Sequence, residues 1–193
     1  LARRGLSTVT PNPCVGCVLV KEEKIVGRGW HIKAGDAHAE VNAIADAGDN
    51  AKGATAYISL EPCSFIGKTG ACTNALQAAG IVRVVSAMQD PNPIVSGQGN
   101  ALLRAAGLDV NEGLMAKQAA TLNRGFIKRM QKQLPFVSCK MAMSLDGRSA
   151  MASGESQWIT APPARKQVQQ LRASSCVIVT GVGTVIHDDP SLN

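Results

Sequence analysis

The sequence predicts a three-layer α/β/α domain with a mixed sheet, followed by the beginning of a second α/β domain. Two observations carry this. Apolar segments at residues 14–20 and 25–30 flank the polar Lys21-Glu22-Glu23-Lys24 and read as a hairpin. After it, strand-like and helix-like segments alternate, as in a sheet covered by helices on both faces. The 193 residues suffice for one full domain and part of another.

Each element has a local reason. Leu1 to Gly5 reads as the tail of a helix stopped by glycine, and the chain as a piece of a longer protein. Gly35-Asp36-Ala37 is a loop before a helix over residues 38–47. A strand is expected over residues 55–60, and a helix opens at Cys72 and closes at Gly80. A strand over 81–87, a helix over 99–106, a short strand over 108–110 and a helix over 115–131 complete the first unit. Pro135 marks the boundary, giving domains 1–132 and 135–193. Beyond it, 136–143 reads as a strand, Pro162 and Pro163 start a helix, and 176–180 is a strand ending in Gly181-Val182-Gly183-Thr184. A single Gly-x-Gly is a weak nucleotide signal, and a tight turn explains it equally well.

The chemistry lies in His38-Ala39-Glu40, Pro62-Cys63 and Cys72. One imidazole and two thiolates make a three-ligand zinc set that leaves a fourth position for water. Glu40, two residues from His38, is free to move protons. His-x-Glu, then Pro-Cys, then a second Cys is the part list of the zinc nucleobase deaminases, although here eight residues separate the cysteines instead of two. Positions two apart on a helix diverge by about 200°. His38 is therefore expected at the helix cap, where it and Glu40 can face one site.

Other features have plainer readings. Cys14 and Cys17 lie in an apolar strand without a second pair and read as packing residues. Asn12, between two prolines, presents an amide on a rigid turn and is a substrate candidate, and His31 is placed in the same pocket. The net charge of +6 suits a phosphorylated small substrate. Lys128, Arg129 and Lys132 read as a solvated helix face. One Tyr and three Phe offer little for stacking bases, so no nucleic-acid partner is expected. No apolar run approaches the ~20 residues of a membrane span. With no signal peptide visible and no disulfide framework, a cytoplasmic protein is expected.

Longer motifs carry a resemblance. They are Thr10-Pro11-Asn12-Pro13 with Val15-Gly16, Gly35 to Val41, Gly53 to Tyr57, Leu60 to Ser64 and Met88 to Pro93. Beyond the first domain they are Ser144 to Arg148, Ala152 to Thr160 and Asp188 to Leu192. With these the chain resembles the bifunctional riboflavin-biosynthesis family, a pyrimidine deaminase fused to a reductase, over nearly its whole length.

The resemblance implies a cytidine-deaminase-like domain followed by the first third of a dihydrofolate-reductase-like domain. It implies zinc on His38, Cys63 and Cys72, and Glu40 as proton shuttle in releasing ammonia from a phosphorylated ribosylaminopyrimidine. It implies NADP(H) contacts at Ala142, Trp158, Thr184 and Asp188, and substrate contacts at Ser156, Arg172 and Leu192. A homo-oligomer is also expected. The family has two histidines and an arginine between its cysteines where this chain has Phe65, Ile66 and Lys68, so Lys68 is a substrate candidate and substrate positioning is altered. Three rivals are weighed: a reductase with a decayed deaminase domain, a nucleic-acid base deaminase, and a non-catalytic zinc module.

Overall fold

The computed structural model describes residues 1–65, 67 and 70–192. They divide into two compact units, Leu1–Phe136 and Val137–Asn193.

The first unit is built on a five-stranded sheet: β1 (Gly16–Lys21), β2 (Lys24–Trp30), β3 (Thr55–Ile58), β4 (Arg83–Ser86) and β5 (Asp109–Glu112). The spatial order is β2-β1-β3-β4-β5. β1 pairs antiparallel with β2 and β3, while β3, β4 and β5 run parallel. The hairpin turns on Glu22 and Glu23, whose φ angles of 49° and 60° are those a two-residue turn of matching twist requires.

Helices α1 (Ala39–Ala47), α2 (Cys72–Ala78) and α3 (Gln98–Ala105) form one layer. Ala39, Ala43 and Ala47 recur at four-residue spacing, so α1 presents a smooth stripe that is fully buried. It lies directly on Gly27 and Gly29 of β2. A Cβ at Gly29 would stand 2.2 Å from the Ala39 carbonyl oxygen and 2.4 Å from the Ala43 nitrogen. Alanine against glycine is what allows this approach. Leu19, Ala56, Leu76, Val84 and Leu103 fill the core between these helices and the sheet.

A second cluster of Ala2, Val9 and Cys14 packs with Leu122 of α4 (Ala116–Leu122). The helix expected over 115–131 is broken at Asn123, where α5 (Arg124–Lys132) begins. The break has a structural purpose. The buried Asn123 side chain accepts from the Cys14 N–H at 2.8 Å and donates to the Cys14 carbonyl at 3.0 Å. This pairs it with the backbone just ahead of β1. The mixed three-layer architecture is therefore the one expected, and Cys14 and Cys17 are buried packing residues.

The second unit contains α6 (Pro162–Ala173) and α7 (Val182–Asp188). Pro162 and Pro163 open α6 as expected. The segments 136–143 and 176–180 are not strands, because a strand exists only as one side of a ladder and no partner strand stands beside them among the described residues. The glycine loop at 181–184 is instead the start of α7, with Gly181 as its cap.

Candidate functional site

The parallel strands deliver the site. Chain leaving the C-terminal end of β3 carries Glu61 and Cys63, and chain leaving β4 carries Asp90 and Asn92. Loops at the carboxyl ends of parallel strands are where α/β sheets bind ligands. They frame a cavity of about 400 Å³ to which Asn12, His31, His38, Glu40 and Cys63 all contribute.

His38 caps α1 in an extended conformation, φ −73° and ψ 167°. That turn of the backbone brings its ring beside the thiols. His38 Nδ1 lies 3.2 Å from Cys72 Sγ and 3.6 Å from Cys63 Sγ. Cys72 opens α2, and its N–H points at Cys63 Sγ from 3.3 Å. The three donor atoms lie within 4.8 Å of one another. For a tetrahedral zinc with bonds of about 2.0–2.3 Å, neighbouring N and S ligands stand about 3.6 Å apart. The donor set fits that ion in type and spacing.

The protonation balance points the same way. The Cys63 thiol is pulled down to about 4, first by the hydrogen bond from the Cys72 thiol and against the effect of burial. As donor in that pair, the Cys72 thiol is pushed up. His38 is raised, chiefly by its hydrogen bond to Cys63. By themselves the three groups hold protons between them and settle on one thiolate. A divalent cation is what would let both thiols ionise around a neutral imidazole.

Glu40 stands in the first turn of α1 and is 3% exposed. Burial raises its carboxyl to about 6, outweighing a backbone hydrogen bond. A carboxyl tuned near the working pH both takes and gives protons. His31 is oriented from both sides: Nδ1–H donates to the Ala37 carbonyl at 3.1 Å and Nε2 faces the Asn12 amide nitrogen at 3.0 Å. Burial lowers its pKa, so it stays neutral and Asn12 Nδ2 is the donor. Its ring meets His38 edge-on, centroids 5.2 Å apart.

Sequence reasoning missed several residues here. Glu61 is buried, and its carboxylate accepts four backbone N–H groups: Gly99 and Asn100 on one oxygen, Asp90 and Gly97 on the other. It ties the 90–100 segment to the loop bearing Cys63. Gly99 must be glycine for this, since a Cβ there would meet the Pro62 carbonyl oxygen at 1.9 Å. Asp90, raised to about 6 by burial, and Asn92 also line the cavity. Their motif, Asp90-Pro91-Asn92-Pro93, was visible, but nothing in it assigned a role. Arg129, read as a solvated cation, also faces the cavity.

The remaining expected residues are not among the described residues that line this cavity. Lys68 falls outside the described residues, while the apolar Phe65 lines the cavity. Ala142, Trp158, Thr184, Asp188, Ser156, Arg172 and Leu192 belong to the second unit. There Trp158 is 69% exposed, with the Arg165 guanidinium 4.4 Å from its ring. Arg172 Nη1 donates to the Ser191 carbonyl at 3.2 Å, which brings it beside Leu192. Thr184 and Asp188 sit on α7. Among the described residues, no helix is long and apolar enough to cross a membrane.

Comparison with known proteins agrees with this geometry. The cytidine and deoxycytidylate deaminase zinc-binding region matches residues 2–88, and the RibD C-terminal domain matches residues 135–193. The Escherichia coli riboflavin biosynthesis protein RibD is 58% identical over the whole chain, which covers 52% of that protein. The solved structure of Acinetobacter baumannii RibD superposes with a TM-score of 0.93 at 52% identity, covering all of this chain and 54% of that one. A Thermotoga maritima deaminase/reductase gives 0.92 at 40% identity, covering 98% and 55%. The chain thus spans about half the length of the relatives it matches. With a zinc-type donor set at the strand ends and the RibD C-terminal match behind it, the chain is similar over its whole length to about half of the RibD riboflavin biosynthesis proteins.

Proposed function

We propose that residues 1–132 form a zinc-dependent hydrolytic deaminase acting on a diamino-ribosylaminopyrimidinone 5′-phosphate in riboflavin biosynthesis. The observation that carries this reading is the convergence of His38, Cys63 and Cys72 beside the buried carboxyl of Glu40. Zinc bound there supplies an activated water at neutral pH.

The side chains do the rest. Asn12, held by His31, presents an amide to the edge of the base and sets which ring carbon faces Glu40. Glu40 would take one proton from the water and give it to the ring nitrogen, then take the second from the hydroxyl that the ring carbon has gained and give it to the departing amine. Water oxygen replaces nitrogen on the ring, ammonia leaves, and no net proton is consumed within the site. Burial keeps Glu40 from being held as a fixed anion by solvent, which suits a group that must carry a proton in each direction.

Residues 135–193 are proposed to belong to a reductase domain that uses NADPH to convert the ribosyl chain to ribityl. Its NADP contacts would include Ala142, Trp158, Thr184 and Asp188, and its substrate contacts Ser156, Arg172 and Leu192. Lys68 is kept as a substrate contact of the deaminase. A cytoplasmic homo-oligomer without a nucleic-acid partner completes the reading.

The test is ammonia release from the purified zinc-loaded chain given the ribosylaminopyrimidine 5′-phosphate. Glu40→Gln should keep its zinc, because Glu40 is not a ligand, and lose at least ~100-fold in rate. An undiminished rate in that variant would assign the proton transfer to another group.

A further inference from the structure

α5 presents Phe126, Arg129 and Met130 to the cavity. Their spacing of three and four residues places them on one helix face. Arg129 is the one permanent cation among the described residues that line this space, whereas Asp36, Glu40, Glu61 and Asp90 supply carboxyls. Its two neighbours in the basic run have other positions: the Lys128 ammonium lies 5.9 Å from the Phe136 ring, and Lys132 ends the helix.

The Arg129 guanidinium is held in place but not neutralised. Nη2 donates to the Pro11 carbonyl at 2.7 Å, and the guanidinium carbon lies 5.7 Å from the Phe126 ring centroid. No carboxylate pairs with it among the described residues. An arginine has five N–H donors, so most of the fork remains available. Pro11 immediately precedes Asn12, so one turn fixes both the amide proposed to read the base and the cation beyond it. The cavity has a buried acidic end at Glu40 and an exposed basic group at Arg129.

We infer that Arg129 binds the phosphomonoester of the substrate and sets the preference for a nucleotide over the corresponding nucleoside. The inference rests on the deaminase reading above. It assigns the substrate's two ends to the two ends of the cavity: the amine-bearing ring to the metal and Glu40, the dianion to Arg129. A planar fork with parallel N–H groups matches two phosphate oxygens, which an ammonium cannot do.

The experiment compares wild type, Arg129→Met and Arg129→Lys, each zinc-loaded, on the ribosylaminopyrimidine 5′-phosphate and on its dephosphorylated form. Zinc content and melting temperature serve as folding controls. Arg129→Met should raise KM for the phosphate about 10- to 100-fold, the worth of charge-assisted hydrogen bonds. Its kcat should move less than about threefold, and kcat/KM for the dephosphorylated compound should fall by no more than about threefold, the share of the lost Pro11 contact. Arg129→Lys should recover only part of the KM, since charge returns without the fork. Equal losses on both compounds would mean that Arg129 merely braces the Pro11 turn and would overturn the inference. So would an unchanged KM in a chain that still deaminates, leaving the deaminase reading intact. A wild-type chain that releases no ammonia from the phosphate would sink that reading and this inference with it.

Discussion

Replacing Glu61 with glutamine should destabilise the first unit far more than an isosteric change suggests. Each Glu61 oxygen accepts two backbone N–H groups, and the side chain is 3% exposed. Glutamine has one oxygen. Whichever way its amide is placed, an NH2 group faces one pair of donors, either Gly99 and Asn100 or Asp90 and Gly97. Two buried donors are then unpaired at about 1–3 kcal/mol each, so the loss should be about 2–6 kcal/mol and centre near 4. For a chain of this length that corresponds to roughly 8–16 °C in melting temperature. Urea and thermal unfolding followed by circular dichroism would measure it, with zinc saturation held fixed because bound metal adds its own stabilisation. Glu112→Gln is the control: Glu112 pairs with Arg104 at 2.5 Å on the surface, and its loss should cost under about 1 kcal/mol. If Glu61→Gln also costs under about 1 kcal/mol, the carboxylate does not hold the 90–100 segment and the reasoning fails.

Other outcomes follow from the same geometry. Metal analysis should find about one zinc per chain, and Cys72→Ser should lose it; full retention would show that the ligand set is different. Gly29→Ala should destabilise by about 1–3 kcal/mol or more, since its methyl would overlap the α1 backbone, and urea midpoints would show it. Ribose-dependent NADPH oxidation should be absent from the 193-residue chain, because the described residues after Phe136 form two helices and no sheet. Turnover in a spectrophotometric assay would refute that.

How much was legible depended on where the partners lie in the chain. The hairpin, α1 and α2 were readable because the signals are local: a polar turn between apolar runs, a loop before a cap, a cysteine opening an alanine-rich helix. His38 at the cap followed from helix geometry alone. Asn123 was hidden within an apparently continuous helix, because its partner, Cys14, lies 109 residues away. Glu61 was hidden for the same reason, since its four donors arrive from the 90–100 segment. Arg129 looked like a surface charge, as helix periodicity does not say which face meets a cavity. The segments 136–143 and 176–180 had strand composition, but composition does not supply a neighbouring strand.

The two cysteines are placed by separate elements, Cys63 by the end of β3 and Cys72 by the start of α2. Besides their thiol contact, they are joined by Cys72 N to Cys63 Sγ at 3.3 Å and Thr73 N to the Cys63 carbonyl at 3.2 Å. The two ends of the eight-residue interval between them are therefore fixed by contacts made outside it. Going from two intervening residues to eight is two doublings of loop length, about 1.2 kcal/mol of closure entropy. A structural zinc contributes about 10–16 kcal/mol. Length between the thiols is thus a small term in metal retention. Changes in that stretch can alter what enters the cavity, which Phe65 lines, while the His38, Cys63 and Cys72 donor set stays as it is.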